Sequence, residues 1–412
     1  MNTRTQTQHR RSTRTSRPTS ESSQQRQEPV AESSPKGFEE LGLGERSLKA
    51  VRRAGFQEPT PIQAQFIPAA LGGRDCVGLA RTGTGKTAAF LLPIFEKIYQ
   101  GGSQRALILA PTRELAEQIT QASQDLVGKG RPNAVAVYGG KSIKTQINKL
   151  KNRPDIVVAT PGRLLDHAQR KTIDLGDFSI VVMDEVDRMF DMGFRPDITR
   201  ILNQCSRRSQ TMFLSATMPK EIMSFADRYL TEPTRVSAID DDNPSVDRLE
   251  QRYFAVSRQR KRGLLNAVLK REDPSLCLIF TRTQRGAEKL GKDLRKNGHR
   301  SSHIHGGLSQ GQRQRAMEGF RSGKIKLLVT TDVLGRGIDV DGISHVINYD
   351  IPENAKDYLH RVGRSGRMNN AGKAFTFVTP DQGDEMTEIE LLCHKRLEAD
   401  SIAGFDNGLP QR

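Results

Sequence analysis

Tryptophan is absent from this sequence, and aromatic residues together account for 5% of its 412 residues. Proteins that read single-stranded nucleic acid by stacking bases on exposed rings need more aromatics, so the composition argues against an RRM or an OB fold. Cysteine is also scarce, and none of the four cysteines belongs to a CxxC pair: Cys76, Cys205, Cys277 and Cys393. Their spacing argues against a zinc knuckle or a disulfide framework and favours a reducing compartment such as the cytoplasm.

Long hydrophobic runs are missing as well. The longest nearly apolar run, residues 88–95, is much shorter than the roughly 20 residues that a membrane-spanning helix needs. We therefore expect no transmembrane segment. Hydrophobic residues at 35% and charged residues at 27% of 412 positions suit a globular protein with two domains, because one ordinary core rarely accommodates so long a chain.

Acidic residues are outnumbered, since 64 Lys and Arg face 48 Asp and Glu for a formal net charge of +16. The excess lies in the folded body as well as in the N-terminal segment, which favours a polyanionic partner, although solubility alone would also explain it. Residues 1–36 are rich in Arg, Ser, Thr and Gln and nearly lack apolar side chains. We expect a disordered basic arm there, serving either as an electrostatic contact to nucleic acid or as a passive solubilising tail.

From residue 37 onward, short β-branched runs alternate with helical stretches, as in a doubly wound α/β fold. Buried parallel strands are predicted at 106–109, 134–137, 156–159, 180–183, 211–214, 276–280, 327–330, 345–348 and 374–378. An Asp-rich break separates the two groups of strands. We therefore predict a first domain over 37–235, a linker over 236–248, a second domain over 249–400 and a short tail over 401–412.

The two predicted domains echo each other in sequence. ILAPTRELAEQ, VYGG and VVATPGRLLD occur in this order in the first, and LIFTRTQRGAEK, IHGG and LLVTTDVLGRGID in the second. Each series is a strand ending in Thr-Arg, a Gly-Gly turn and a strand ending in Thr. We interpret this as a duplicated domain whose strand-end loops bind ligands, as such loops do in open parallel sheets.

A glycine-rich segment connects the short apolar run CVGL to a helical pattern. Its sequence is ARTGTGKT (80–87). This arrangement holds phosphate groups, because Gly83 and Gly85 let backbone N–H groups turn inward, Lys86 reaches the β- and γ-phosphates and Thr87 can coordinate Mg²⁺. A purely structural turn is the alternative interpretation.

Two further segments place charged residues after a predicted strand or between glycines. In IVVMDEVD (180–187) the carboxylate of Asp184 follows a strand and could hold Mg²⁺ through water, while Glu185 could orient or deprotonate an attacking water. A helix N-cap is the alternative for this pair. HRVGRSGR (360–367) interleaves arginines with glycines, which would let guanidinium groups face an anion, although a solvated basic turn would look similar.

Taken in order, these motifs resemble those of the DEAD-box family of ATP-dependent RNA helicases from residue 38 to about residue 380. The motifs are FQEPTPIQ (56–63), ARTGTGKT (80–87), PTRELA (111–116), TPGR (160–163), DEVD (184–187), SAT (215–217), TTDVLGRGID (330–339) and HRVGRSGR (360–367). The resemblance implies two tandem RecA-like domains. Val186 stands where the family has Ala; its bulk could loosen the coupling of Asp187 to Ser215 and Thr217 that the resemblance implies, while both catalytic acids remain.

The resemblance also implies ATP and Mg²⁺ as cofactors. The amide of Gln63 can donate and accept at once, which matches the N6/N7 edge of adenine, and Phe38 could stack on the base. The implied catalytic residues are Lys86, Glu185, Arg364 and Arg367, with Mg²⁺ at Thr87 and Asp184. The implied nucleotide contacts are Phe38, Gln63, Ala80, Arg81, Thr82, Gly83, Thr84, Gly85, Lys86, Thr87 and Asp339.

RNA is the implied partner. Small hydroxyls, backbone N–H groups and arginines read phosphate and 2′-OH groups rather than bases, so low sequence specificity is expected. The implied RNA contacts are Pro111, Thr112, Arg113, Gly139, Gly140, Thr160, Pro161, Gly162, Arg163, Arg282, Thr331 and Asp332. The sequence thus predicts a monomeric, RNA-stimulated ATPase that closes two domains on single-stranded RNA, with protein partners possible. A DNA helicase and an ATP-gated RNA clamp with little turnover are the alternatives.

Overall fold

The computed structural model describes residues 37–80, 83–101, 104–128, 130–238, 249–335, 338, 340, 342–365, 372–393 and 395–410. These residues form two seven-stranded β-sheets in which all strand pairs are parallel, each flanked by helices. The predicted basic arm (1–36) lies outside the described residues.

The first sheet has the strand order β3-β4-β2-β5-β6-β1-β7. Its strands are β1 Cys76–Leu79, β2 Ala106–Leu109, β3 Ala134–Val137, β4 Ile156–Ala159, β5 Ile180–Asp184, β6 Gln210–Ser215 and β7 Thr234–Ser237. Its helices are α1 Glu45–Arg53, α2 Pro61–Leu71, α3 Lys86–Tyr99, α4 Arg113–Val127, α5 Ile143–Lys151, α6 Pro161–Gln169, α7 Val186–Asp191, α8 Arg195–Gln204 and α9 Lys220–Tyr229. Two short 3₁₀ helices, Phe38–Leu41 and Leu175–Asp177, complete this domain.

The second sheet has the order β10-β11-β9-β12-β13-β8-β14. Its strands are β8 Leu249–Ala255, β9 Cys277–Phe280, β10 Ser301–Ile304, β11 Leu327–Thr330, β12 His345–Asn348, β13 Gly372–Val378 and β14 Glu398–Ala399. Its helices are α10 Lys261–Glu272, α11 Gln284–Lys296, α12 Gln310–Arg321, α13 Asp332–Gly335, α14 Ala355–Val362 and α15 Gly383–Cys393. Counted from the first strand of each domain, both sheets follow the same order, which confirms the duplication inferred from the sequence echo.

The central strands are largely apolar because helices cover both faces of each sheet. Along β2, Ala106 and Ile108 belong to the core cluster on one face, whereas Leu107 and Leu109 belong to the cluster on the other. All four side chains are fully buried. This alternation of faces is what a strand's two-residue period requires. Because all the strands are parallel, the loops after them lie at one edge of the sheet.

The predicted linker is shorter than residues 236–248, because β7 extends to Ser237. Val236 pairs with Gly78 of β1 and is 6% exposed, so these residues complete the first sheet. Residues 239–248 lie outside the described residues. The predicted tail (401–412) contacts the second domain just after β8, since the backbone N–H of Ser257 donates to Asn407 O at 2.9 Å.

No helix among the described residues is both long and apolar enough to cross a membrane.

Candidate functional site

The glycine-rich loop lies between the end of β1 and the start of α3. Gly83 and Gly85 have φ values of +81° and +89°, a backbone conformation that glycine adopts without strain. A Cβ at Gly85 would collide with the side chain of Gln63. The buried ammonium group of Lys86 donates to Ala80 O at 2.6 Å, so the loop curls around this cation. The loop fits a phosphate group, for which it offers backbone N–H groups and one cation.

Gln63 connects the start of α2 to this loop. Its Oε1 accepts from the Thr60 N–H at 3.0 Å, forming a capping box, and its Nε2 donates to Gly85 O at 3.2 Å. An amide has two N–H groups and two acceptor lone pairs. One of each therefore remains for a ligand, which is what recognition of adenine through Gln63 requires.

Phe56, in the same motif as Gln63, presents an exposed aromatic ring that sequence reasoning did not single out. Phe38 is 2% exposed and its ring stacks on that of Phe56, with centroids 6.1 Å apart and planes at 21°. Phe56 is 38% exposed. Stacking of Phe38 on the base stays a prediction, and Phe56 presents the more exposed of the two rings. The signal was present, because Phe56 is the first residue of the FQEPTPIQ motif.

The acidic pair lies at the end of β5. Asp184 is 3% exposed, and burial raises its pKa to about 7 although nearby Lys86 acts in the opposite direction. Glu185 has φ +54°, a left-handed conformation uncommon for a residue with a side chain. Its carboxylate accepts from Arg188 Nη1 at 3.0 Å, and both side chains are largely buried. Arg188 was not singled out from the sequence.

Asp187 makes the contact that the resemblance implied. Its Oδ2 accepts from the N–H of Thr217 at 2.9 Å and from the hydroxyl of Thr217 at 3.0 Å. Its own N–H donates to Ser215 Oγ at 3.3 Å. Val186 is fully buried in the core cluster beneath these residues. The valine is therefore accommodated while Asp187 holds the loop after β6.

The predicted RNA contacts of the first domain follow three neighbouring strands. Thr112 caps α4 by accepting from the Leu115 N–H at 3.3 Å. The guanidinium of Arg113 lies against the Gly139–Gly140 turn, where a Cβ at Gly140 would collide with it. The Arg163 side chain donates to Lys141 O at 3.1 Å. The loops after β2, β3 and β4, which include Pro111, Thr160, Pro161 and Gly162, therefore lie at one edge of the sheet.

In the second domain, the predicted RNA contact Asp332 forms an ion pair with Arg361. The guanidinium of Arg361 is 1% exposed and donates to both carboxylate oxygens of Asp332, from Nε at 2.5 Å and from Nη2 at 2.8 Å. It also donates to Asn348 Oδ1 at 3.2 Å and to Asp350 O at 2.7 Å. Asp332 thus joins the loop after β11 to α14, and its contact with RNA stays a prediction.

Of the other site residues predicted in the second domain, Arg282, Thr331 and Arg364 belong to the described part of the chain. Arg364 is 3% exposed, and its guanidinium donates to His360 O at 3.1 Å and to Ile338 O at 3.2 Å. Arg282 is exposed and faces Glu353 at 3.4 Å. Thr331 is 7% exposed. The predicted site residues outside the described part of the chain are Arg81, Thr82, Asp339 and Arg367.

Helices α4 and α12 bring the two sheets into contact. Arg313 of α12 forms a buried ion pair with Glu114 of α4. Gln310 donates from Nε2 to Glu117 Oε2 at 3.3 Å. No local pattern could have predicted this pair, because 199 positions separate the two charges along the chain.

Two family models match the chain. The DEAD/DEAH box helicase model matches residues 60–225, and the helicase conserved C-terminal domain model matches residues 260–369. The chain is 41% identical over 373 residues to the DEAD-box ATP-dependent RNA helicase CshA of Bacillus subtilis (strain 168), covering 90% of this chain and 75% of that protein. The corresponding protein of Geobacillus kaustophilus (strain HTA426) is also 41% identical, with 80% of it covered.

Solved structures are similar over both domains. S. cerevisiae Dbp5 bound to RNA and ADP BeF3 superposes with a TM-score of 0.81 at 29% identity, covering 90% of this chain and 96% of that one. Mss116p bound to ssRNA and AMP-PNP gives 0.79 at 28% identity, covering 88% of this chain and 78% of that one. With two family models matching and the motifs assembled on two like sheets, the chain belongs to the DEAD-box family of ATP-dependent RNA helicases.

Proposed function

We propose that this protein is an RNA-stimulated ATPase that unwinds or remodels short RNA duplexes or RNA–protein complexes. ATP would bind the loop at residues 83–87, and single-stranded RNA would lie across the strand-end loops of both sheets. The observation that carries the proposal is the hydrogen bonding of Asp187 to Ser215 and Thr217. These bonds connect the segment bearing the catalytic acids to the loop after β6.

Each residue of the ATP site would have one task. Gln63 and Phe56 would bind the adenine, and Lys86 would leave Ala80 O to neutralise the phosphates. ATP supplies the phosphoryl group and, on hydrolysis, the free energy for remodelling. Glu185 would orient the attacking water through Oε1 while Oε2 stays paired with Arg188.

Magnesium fits the same site. The hydroxyl of Thr87, in the first turn of α3, and the carboxylate of Asp184 are oxygen ligands, which Mg²⁺ prefers. Because Mg²⁺ usually keeps several waters and binds phosphate oxygens, two protein groups suffice. Asp184 would bind it through water, in its ionised form.

RNA would stimulate turnover by favouring closure of the domains. Arg113 and Arg163 in the first domain and Arg282 in the second would hold phosphates of one strand. Closure would bring Arg364 and Arg367 to the γ-phosphate, where their charge stabilises the transition state as arginine fingers supplied in cis. We further propose that the protein is a monomer and that it acts in the cytoplasm. Protein partners there could direct it to particular RNAs.

The test is ATP hydrolysis by the unmodified protein with single-stranded RNA, with DNA of the same sequence and with neither, beside strand separation of a short RNA duplex. We expect stimulation by RNA alone and ATP-dependent strand separation. Arg364→Ala should reduce RNA-stimulated turnover by roughly a thousandfold or more, whereas Glu185→Gln should stop turnover and trap a long-lived complex with ATP and RNA.

Two results would favour the alternatives. Equal stimulation by DNA would indicate a DNA helicase, and tight ATP-dependent RNA binding with negligible turnover would indicate a clamp. If Arg364→Ala kept RNA-stimulated turnover, the closure mechanism would be wrong.

A further inference from the structure

A basic cleft lies at the amino ends of the strands of the second sheet, opposite the edge that carries the predicted RNA loops. The cavity has a volume of about 630 Å³, and its cationic lining residues are Lys270, Arg300 and Lys326, with His299 beside them. Asp273 is the acidic residue that lines it. We call this cavity the basic cleft.

The backbone fixes the cations of the basic cleft side by side. The N–H of Lys326 donates to Arg300 O at 2.8 Å, and the N–H of Cys277 donates to Lys326 O at 2.8 Å. Arg300 and Lys326 therefore immediately precede the neighbouring strands β10 and β11. Lys270 comes from the last turn of α10. Three separate elements thus contribute positive charge to one cavity.

These cations are scarcely neutralised. Among the described residues, no carboxylate lies within ion-pair distance of Lys270 or Arg300, and both are exposed. Lys326 faces Asp273 at 3.8 Å, but Asp273 is 90% exposed, so this pair contributes little. Lys296 and Lys324, both exposed, adjoin the cleft in sequence and add to its charge.

The first sheet shows that the fold does not require this charge. The position of Lys326, immediately before β11, is held in the first domain by Asp155, immediately before β4, and each carbonyl accepts from the strand alongside. Asp155 pairs with Arg131 there, and Asp177 pairs with Arg105 at 3.0 Å and Arg153 at 2.9 Å. At the amino ends of the strands, the charges are therefore paired in the first domain and largely unpaired in the second.

The ends of helices explain only part of the excess positive charge around the basic cleft. Lys270 and Lys296 lie in the last turns of α10 and α11, where cations interact favourably with the helix dipole. Arg300, Lys324 and Lys326 lie in a turn or just before a strand, so the dipole does not account for them. Arg300 and Lys326 share the cleft that both of them line.

We propose that the basic cleft binds the phosphate backbone of an RNA segment beyond the one held at the strand-end loops, such as the structured part of the same molecule. The proposal rests on the RNA-remodelling function argued above. A small anion fits less well, because its site would need buried, fixed donors, whereas these side chains are exposed and flexible. A polyanion gains affinity from such cations through counterion release.

The cleft would extend the length of RNA that the helicase contacts without adding sequence specificity. β9 and β11 have four residues each, so the cleft is about 13 Å or more from the loops at their other ends. A short strand bound at those loops cannot occupy both places. Only an RNA with a longer or structured flank would contact the cleft.

The experiment compares a cleft variant with a matched control. The cleft variant combines Lys270→Gln, Arg300→Gln and Lys326→Gln. The control combines Arg207→Gln, Lys220→Gln and Arg228→Gln, which removes the same charge from exposed positions of the first domain. Each is titrated over a range of salt with a single strand of about 10 nucleotides, within the site sizes of single-strand grooves, and with the same strand extended by a hairpin.

We expect the cleft variant to lower the slope of log Kd against log salt by about 2–3 for the extended RNA, the value for three phosphate contacts. Binding of the short strand and its stimulation of ATP hydrolysis should not change, which also shows that the variant folds. The control should leave both RNAs unaffected. In the unmodified protein, 4-thiouridine in the hairpin should crosslink to the peptide containing residues 297–300.

Three outcomes would overturn the proposal. An unchanged slope for the extended RNA would mean that the cleft does not contact it, and an equal decrease in the control would indicate a general charge effect. Cleft-dependent binding to vesicles of phosphatidylglycerol and phosphatidylcholine, with the RNA slope unchanged, would assign the cleft to a membrane surface. If the unmodified protein bound neither RNA, the proposed function would fail first.

Discussion

The ion pair between Glu185 and Arg188 shows what a single buried contact can control. Both side chains belong to the segment that begins at the end of β5, and they meet at 3.0 Å with side-chain exposures of 11% and 3%. A buried charge needs a partner, because its desolvation is costly. Arg188 therefore holds the proposed water-orienting carboxylate in a defined place and acts as a positioning residue.

Replacing Arg188 by Ala should lower kcat for RNA-stimulated hydrolysis while changing the KM for ATP little, because Glu185 would lose its position but the phosphate loop would not. The free energy of unfolding should fall by about 3–5 kcal/mol, as expected when one partner of a buried pair is removed. Arg188→Lys should restore part of kcat. Steady-state kinetics and urea unfolding of both variants provide the measurement, and equal kcat in all three proteins would exclude the positioning role.

Adenine selectivity is a second test at this scale. Gln63→Ala should weaken ATP binding by about 1–3 kcal/mol, the cost of leaving polar groups in a closed site unpaired, while GTP binding should hardly change. Gln63→Glu is the matched control, since it keeps an acceptor for the Thr60 N–H but cannot donate to Gly85 O. Equal ATP and GTP affinities in the unmodified protein would contradict recognition through Gln63.

Sequence reasoning identified residue types at the site better than residue partners. Gly83, Gly85 and Lys86 follow from the loop's spacing, because phosphate binding constrains neighbouring residues. The burial of Phe38 beneath Phe56 depends on how a 3₁₀ helix packs, which local spacing does not reveal. The pairing of Asp332 with Arg361 depends on two loops meeting in space, and a single sequence carries no signal for that.

At the scale of elements, His167 ties α6 to its neighbours. The ring is fully buried, with Nε2 3.2 Å from Gln146 Oε1 of α5 and Nδ1 2.8 Å from Thr172 Oγ1. Gln146 in turn donates to Tyr138 O at 2.9 Å, next to the Gly139–Gly140 turn. This network supports two of the loops predicted to contact RNA.

Acid should weaken this network. Burial lowers the pKa of His167 below its usual value of 6.5; nearby Arg163 and Arg170 act in the same direction, and Asp166 acts against them. The unfolded chain therefore binds more protons, and the stability that neutral His167 provides is lost as pH falls below about 6.5. His167→Gln cannot titrate, so its free energy of unfolding should depend less on pH. Urea unfolding at several pH values measures the difference, and parallel curves would contradict it.

The strands were largely predictable, because parallel strands buried on both faces are continuous apolar runs. The predicted runs at 106–109, 134–137, 156–159, 327–330 and 345–348 match the observed strands. The strands that were missed are more polar and lie at or next to a sheet edge: β7, β8, β10 and β14. A half-exposed strand lacks the continuous apolar run by which the others were recognised.

At the scale of the whole molecule, the contact between α4 and α12 should stabilise the closed arrangement of the two domains. Glu114→Gln and Arg313→Gln should each reduce RNA-stimulated turnover and leave ATP binding without RNA nearly unchanged. In a double-mutant cycle the two changes should not add, with a coupling of about 0.5–3 kcal/mol. The control is Gln314→Ala, whose amide contacts Glu318 on the same helix. Additive effects would show that this pair does not act in closure.

The first turn of α4 has a consequence for how such a protein can change over generations. Arg113 lies against the Gly139–Gly140 turn, and the next residue, Glu114, pairs with Arg313 of the other domain. The two side chains leave the helix about 100° apart and share one turn of backbone. A substitution that shifts this turn would therefore change both the binding of nucleic acid and the contact between the two domains. The position is pleiotropic, and directed evolution toward tighter binding would have to modify both traits at once.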